Sequence, residues 1–484
     1  MSRRRLSSVD RGEFALSDAA PSDSYLSAFT APRPRRAERI AAGKALRDKT
    51  PREGFATWTL PKDRPDPLDV IEAQNANRAA NLVPIRMARM AASPFAFLRG
   101  TAAVMAADLA ATDITGHAVM ACGDMHVMNF GFFASAERNL IFSINDFDEA
   151  HPDSWEWDLM RLAASAAVAA FFLGGDRSSA ESAVMSAVGS YAQRLRGYSK
   201  KGYLEVWYDL IDEATILDAA RGVIRSEAAA MMNKARRRGH MRVFEKLTEV
   251  ADGQLRLAES APLVIRDTHL RDGTPVEVGL DRMLASYMSS LPADRRRILT
   301  RYRIVDVARK VVGVGSVGLG CWVLMLEGLD HGDPLFLQVK EAQASVLAPY
   351  QRGTPSIRNQ GKRVVVGQRM IQGSPDIFLG WGPHDNKPPF YYVRQLSDMK
   401  GGIELVEGDR SALATFDAYC RLCGWALALA HAKSGDAALI ASYCGKSDAL
   451  PEAMSRFALN YAAQTEADHA ALLRAVKSGR FATA

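Results

Sequence analysis

Gly123-Asp124-Met125-His126-Val127-Met128-Asn129, with Asn145-Asp146-Phe147-Asp148 beyond it, is the densest chemistry in the chain. Between the two stretches, Leu140-Ile141-Phe142-Ser143-Ile144 reads as a short buried strand that ends in an acidic turn. An Asp and an Asn five residues apart, with a further Asp beyond a hairpin, can serve phosphoryl transfer. One carboxylate orients an attacking hydroxyl and takes its proton, while an amide oxygen and a second carboxylate hold magnesium against phosphates. Magnesium takes hard oxygen ligands and usually only one or two carboxylates from the protein. Asp124, Asn129 and Asp146 make up such a set. Asp and Asn also cap turns and helices, so the loop alone is ambiguous. The combined spacing, the strand ending at Ile144 and the downstream Trp157-Asp158-Leu159 favour the chemical reading.

The segment resembles the catalytic loop of the protein-kinase-like superfamily, in its aminoglycoside and choline phosphotransferase branch. The branch pattern is His-Gly-Asp-x-His-x-x-Asn and then Asp-Phe-Asp; here Cys122 stands at the first His. By that resemblance Asp124 is the catalytic base and His126 a loop-shaping member of the catalytic segment. Asn129 and Asp146 are metal ligands, Asp148 is an additional magnesium or water contact, and Asp158 supports the loop backbone. The implied cofactors are ATP and Mg2+.

Val312-Gly313-Val314-Gly315-Ser316-Val317-Gly318 fits G-x-G-x-x-G, a pattern shared with dinucleotide-binding loops. The residues downstream separate the two. A dinucleotide loop opens a helix, whereas Trp322–Leu326 reads as a strand, Gly332-Asp333-Pro334 as a hairpin and Phe336–Lys340 as a strand ending in Lys. In that arrangement Gly313, Gly315, Ser316 and Gly318 cradle phosphates and Lys340, 22 residues after Gly318, neutralises them. A kinase-like site also wants an acid on the next helix to hold the Lys. Residues 357–371 read as that helix but carry Arg358, Lys362, Arg363, Gln368 and Arg369, and no acid. Glu341 is adjacent, yet neighbours on a strand point to opposite faces. Tyr391–Leu396 reads as the strand leading to an interlobe hinge.

The motif order is reversed, because the Asp124 loop precedes Gly313 by about 190 residues. The resemblance therefore implies a circularly permuted fold, physically cheap where chain ends lie close together. The helix from Ser411 through Ala430-His431 ends at Lys433-Ser434-Gly435-Asp436, where a helix preceding the catalytic loop would end in an unpermuted chain. Over residues 60–480 the sequence also resembles a bacterial family catalogued as domain of unknown function 2252. That likeness is carried by Ser93–Gly100, Gly123–His126, Asn145–Glu149, Val339–Ala342, Arg363–Arg369 and Ala430–Asp436.

The expected fold class is α+β: a bilobal kinase-like fold with a small antiparallel β lobe and a large helical lobe. Residues 1–60 read as a basic, largely disordered leader and 61–175 as helical lobe with the catalytic-type loop. Residues 176–303 read as a helical insertion or cap, 304–400 as the β lobe and 401–484 as the rest of the helical lobe.

Composition limits the alternatives. In 484 residues, 48% are hydrophobic and 24% charged, which excludes a fibrous or wholly disordered chain. The net charge of +6 is concentrated in the Ser/Pro/Arg-rich leader, whose first 50 residues hold eleven basic and six acidic side chains. A basic tail without a basic folded face disfavours specific nucleic-acid binding. The basic cluster at Lys234 and Arg236–Arg238 reads as a solvated helix face. Five scattered cysteines suit a reducing compartment, and Cys420-x-x-Cys423 reads as core filling. The most apolar stretch, Leu159–Gly175, carries Arg161 and is too short to span a bilayer. These features predict a cytoplasmic enzyme acting on a small-molecule acceptor, a hydroxylated or amine-bearing molecule. Its oligomeric state is not legible in the sequence.

Overall fold

Alternation along two neighbouring strands organises the site. The strands are β1 (Ala118–Ala121), β2 (Phe130–Ala134), β3 (Leu140–Ile144), β4 (His151–Ser154), β5 (Thr248–Ala251), β6 (Gln254–Leu257), β7 (Val264–Ile265), β8 (Arg303–Lys310), β9 (Cys321–Glu327), β10 (Pro334–Ala342), β11 (Gly380–Gly382) and β12 (Phe390–Gln395). The computed structural model describes residues 25–237, 240–251, 254–267, 270, 273–311, 313, 315–330, 332–350, 357–384, 387–396 and 401–483. Arg3–Arg5 of the leader, Arg238 of the basic cluster, and Val312 and Val314 of the glycine loop lie outside the described residues.

Six strands form one antiparallel sheet in the order β11-β12-β10-β9-β8-β7. Residues two apart on a strand share a face. On one face Leu337 and Val339 of β10, Leu324 and Leu326 of β9 and Val393 of β12 pack on Met283, Tyr287 and Leu291. Tyr287 lies on the Val276–Ser290 helix and donates from its hydroxyl to the Phe378 carbonyl at 2.6 Å. On the other face, Phe336 and Met325 join a smaller cluster with Leu257. Further along that face, Gln338, Lys340, Tyr392 and Arg394 are polar and meet the acidic loops.

The remaining core is helical. All but the last two residues of Trp155–Phe172 are buried, as expected of a helix apolar on nearly every side. The Leu413–Ser434 helix runs along Arg177–Tyr198. Gly424 permits that approach, since a Cβ there would collide with the Ala187 backbone. Cys420 and Cys423 are buried free thiols in this core. The fold is mixed α+β, with one large sheet and three two-stranded ones among the described residues.

Two expected boundaries are corrected. The leader is not disordered to residue 60: Arg36–Lys49 is a helix lying on Ala437–Cys444, and Phe55 is buried in the main core. Arg39 pairs with Asp436 at 2.8 Å, and Arg47 donates to the Tyr443 carbonyl at 2.9 Å. Several of the arginines that suggested solvation therefore tie down a helix end. Residues 176–303 are not simply a helical insertion. Their second half supplies β7, the β5–β6 hairpin and the Val276–Ser290 helix, all packed on the large sheet.

Candidate functional site

The first acidic loop leaves β1 through Gly123, whose φ of +74° suits glycine and whose Cβ would lie 2.8 Å from the Glu149 carbonyl oxygen. The amides of Cys122 and Gly123 donate to the Asp158 carboxylate at 2.7 and 2.9 Å. Asp158 sits in the first turn of Trp155–Phe172, where the helix dipole favours an anion. His431 Nε2 lies 3.3 Å from Asp158, and with its proton there, Nδ1 accepts from the Tyr191 hydroxyl at 2.8 Å. This buried chain fixes the loop backbone, the role the resemblance implied for Asp158.

Arg161, one turn further along the same helix, holds Asp124. Its Nε and Nη2 lie 2.7 and 2.6 Å from Asp124 Oδ1, and Nη2 also donates to the Leu98 carbonyl at 2.8 Å. Arg161 is 2% exposed while the Asp124 side chain keeps 20%, on a cavity wall. His126 is buried, and its Nδ1 accepts from the Met128 amide at 3.2 Å, capping a short 3-10 turn. Burial, ahead of the neighbouring charges, lowers its pKa to about 3, so the ring is neutral at pH 7. His126 thus shapes the loop. Asn129 donates from Nδ2 to the Asp124 carbonyl at 2.6 Å, which leaves Oδ1 as its available ligand atom.

The β2–β3 hairpin carries the chain to the second acidic segment, where the Asn145 amide donates to the Asn129 carbonyl at 2.8 Å. Phe147 is buried between Asp146 and Asp148, which anchors the turn. Asp148 reaches across to the sheet. Lys340 of β10 lies directly opposite Tyr392 of β12, so both side chains share a face. Lys340 Nζ is 2.5 Å from Asp148 Oδ2, and the Tyr392 hydroxyl donates to Oδ1 at 2.6 Å. Burial alone would lower the Lys340 pKa, but Asp148, Tyr392 and Asp146 together outweigh it and hold the ammonium well above its usual value. Two residues along β12, Arg394 donates to Gln338 at 3.0 Å and to the Asn145 carbonyl at 3.3 Å.

Lys340 is held by Asp148 of the acidic loop, so Asp148, expected as a metal or water contact, is the partner of Lys340 here. Glu341 faces the other way and accepts from the Gly320 amide at 2.9 Å. The expected helix forms as Gln360–Gln372, and its Arg363 is fully engaged. It donates to the carbonyls of Asp148 and Gln343, each at 2.8 Å, and to that of Ala150.

The glycine loop joins β8 to β9. Gly313 and Gly318 have φ of +65° and +86°. The 78–89 segment grips the loop: Ala79 N–H donates to the Gly318 carbonyl at 2.8 Å, Arg78 to that of Val317 at 2.5 Å and Arg89 to that of Gly313. Two cavities meet beneath it. One of about 460 Å³ is lined by Asp124, Asn129, Arg78, Arg86 and Arg99, and one of about 620 Å³ by Lys340, Gln338 and Arg394. Asp146, Gly313 and Ser316 line both. Nine of the ten candidate residues, from two stretches far apart in sequence, line one or both cavities, and Gly318 belongs to the glycine loop without lining either. Gly315 lies on the first cavity. Among the described residues, no three His, Cys, Asp or Glu side chains form a metal cage.

Sequence reasoning does not assign Arg161, Tyr392, Arg394 or Arg363 to the site. Signals for them are present: a lone Arg one turn beyond the acidic Glu156 and Asp158 of a helix that is otherwise mostly apolar, and Tyr392 and Arg394 two apart on a strand otherwise rich in β-formers.

Residues 78–475 match the family described as an uncharacterized protein conserved in bacteria (DUF2252), and the chain belongs to that family. Neither a curated protein nor a solved structure matches it. Among the described residues no helix is long and apolar enough to cross a membrane.

Proposed function

We propose that this protein is an ATP- and magnesium-dependent phosphotransferase, built on a bilobal kinase-like arrangement with circularly permuted motif order. The observation that carries the reading is the meeting of Lys340 and the glycine loop with the Asn129–Asp146–Asp148 set around one cleft. Permutation is supported by Gly435, at the end of the Leu413–Ser434 helix. A Cβ there would lie 2.7 Å from Val119 Cγ1, so the helix end abuts the strand that leads into the Asp124 loop.

The donor set fits magnesium. Asn129 Oδ1 and the Asp146 carboxylate are hard oxygens, and this ion is commonly held by one or two carboxylates together with substrate phosphates. When bound, Mg·ATP supplies the phosphoryl group and part of the charge that offsets its own phosphates. Lys340, already ionised against Asp148, is placed to donate to phosphate oxygens. Asp124 accepts the acceptor's proton, and Arg161 aims its carboxylate. His126 and the Asp158 network keep the loop from shifting.

A second reading, a nucleotide-binding regulator with little turnover, is favoured by Arg363 standing on the helix that would otherwise carry the acid for Lys340. AMP transfer is a third. Phosphorus NMR of Mg·ATP incubated with the protein separates them. The phosphotransferase reading expects slow conversion to ADP with water as default acceptor, falling by about 10²-fold or more in Asp124→Asn. AMP as product supports nucleotidyl transfer, and unchanged ATP overturns both enzymatic readings.

A further inference from the structure

The 460 Å³ cavity on the Asp124 side carries two arginines, Arg86 and Arg99, that form no salt bridge among the described residues, although Asp124 lies near enough to favour the charged form of Arg99. Arg86 is 1% exposed, and its guanidinium donates only to neutral oxygens: Asn75 at 2.7 Å, Gln74 at 3.3 Å and the Gly100 carbonyl at 3.0 Å. Burial, with Arg78 adding to it, lowers its pKa to about 9, which still leaves it charged at pH 7. Arg99 is more exposed to the cavity. Its Nε is buried without a partner, its nearest aromatic neighbour is Phe95 at 5.9 Å, and among the described residues it forms no hydrogen bond or salt bridge. Five acids also line this cavity: Asp124 is held by Arg161 and Asp148 by Lys340, Glu149 accepts from the Val346 amide and Glu341 from the Gly320 amide, and Asp146 is the proposed magnesium ligand.

The placement of these arginines is set by a short helix. Ser93 caps Pro94–Gly100 by accepting from the Ala96 amide at 3.1 Å, and Pro94 sets its first turn. The carbonyls at its far end receive Arg86 and Arg161, while Arg99 projects from the last turn. A buried guanidinium without a counter-ion is costly. Two of them on one cavity wall are explained by a ligand that brings the negative charge, for which the planar fork of Arg is well matched.

We propose that this cavity binds an oxyanion, a carboxylate or phosphate group of the acceptor molecule, on Arg86 and Arg99, leaving the acceptor's hydroxyl or amine beside Asp124. The acceptor is then an anionic metabolite, not a cationic amine. Its role as acceptor rests on the phosphotransferase reading; the anion site itself does not.

The test is a calorimetric titration with inorganic phosphate, with and without saturating Mg·AMP-PNP. Wild type is expected to bind phosphate in both conditions. Arg99→Met should weaken binding about tenfold or more without lowering Tm, because it removes an unpaired charge, and Arg99→Lys should retain part of the affinity. Absence of phosphate binding at millimolar concentration, an unchanged affinity in Arg99→Met, or displacement by Mg·AMP-PNP would each overturn the proposal. Should Mg·AMP-PNP itself not bind, the nucleotide reading fails while the phosphate titration still decides the anion site.

Discussion

Lys340 Nζ and Asp148 Oδ2 lie 2.5 Å apart although 192 residues separate them in the chain. The Lys340 side chain is 4% exposed and that of Asp148 26%, so the pair is shielded on the sheet side and open on the cleft side. It joins the large sheet to the loop that carries Asp146, and everything proposed about the cleft depends on that junction.

Removing one partner should therefore be expensive. Asp148→Ala strands a buried ammonium and should lower unfolding free energy by about 3 kcal/mol or more in urea denaturation. Replacing both residues, as Lys340→Met with Asp148→Leu, should recover much of that loss. A single variant within about 1 kcal/mol of wild type would show that the pair does not hold the junction.

Arg161 is a positioning residue for Asp124. Arg161→Gln should depress kcat for ATP turnover by about tenfold or more and leave the affinity for Mg·AMP-PNP within about twofold. Its contacts run to Asp124, Leu98 and Met105, not to the glycine loop or Lys340. Equal losses in both quantities would indicate a general collapse of the site.

Glu149 gives a pH signature. Burial, only partly offset by Arg363 and the Val346 amide, raises its carboxyl from 4.5 to about 7. The folded chain then holds this proton more tightly than the unfolded chain does. The contribution to stability is full below about pH 4.5 and is lost as pH rises through about 7. Glu149→Gln should abolish that decline and be more stable than wild type at pH 8, read from Tm against pH.

Two loop glycines should differ in their tolerance of a side chain. Gly318 has φ +86° and a Cβ there would lie 2.9 Å from Arg78 Cβ, so Gly318→Ala should cost about 1–3 kcal/mol. Gly315 faces open space, and Gly315→Ala should leave Tm within about 1 °C of wild type while narrowing the cavity it lines.

The acidic loops are legible in the sequence because their spacing is local: Asp124, Asn129 and Asp146 are set by a turn and one hairpin. The sheet strands Arg303–Lys310, Cys321–Glu327, Pro334–Ala342 and Phe390–Gln395 are legible too, each a short β-branched or aromatic run. The partner of Lys340 is not, because that contact is fixed by the register of β10 on β12 and by how Arg363 clamps the Asp148 backbone. Neither is encoded in a neighbouring residue. The Val276–Ser290 helix reads as part of a cap for a similar reason, since its apolar face matches a sheet that begins well downstream. The leader misleads through composition: its basic residues look solvated, yet Arg39 and Arg47 bind the Asp436–Tyr443 region.

The most direct measurement is a calorimetric titration of Mg·AMP-PNP into wild type and Asp146→Asn. A nucleotide cleft shared by Lys340 and Asp146 predicts one saturable site in wild type. In the variant, affinity should fall about tenfold or more, with the dependence on magnesium lost. No binding by wild type, or equal affinity in both proteins, would contradict it.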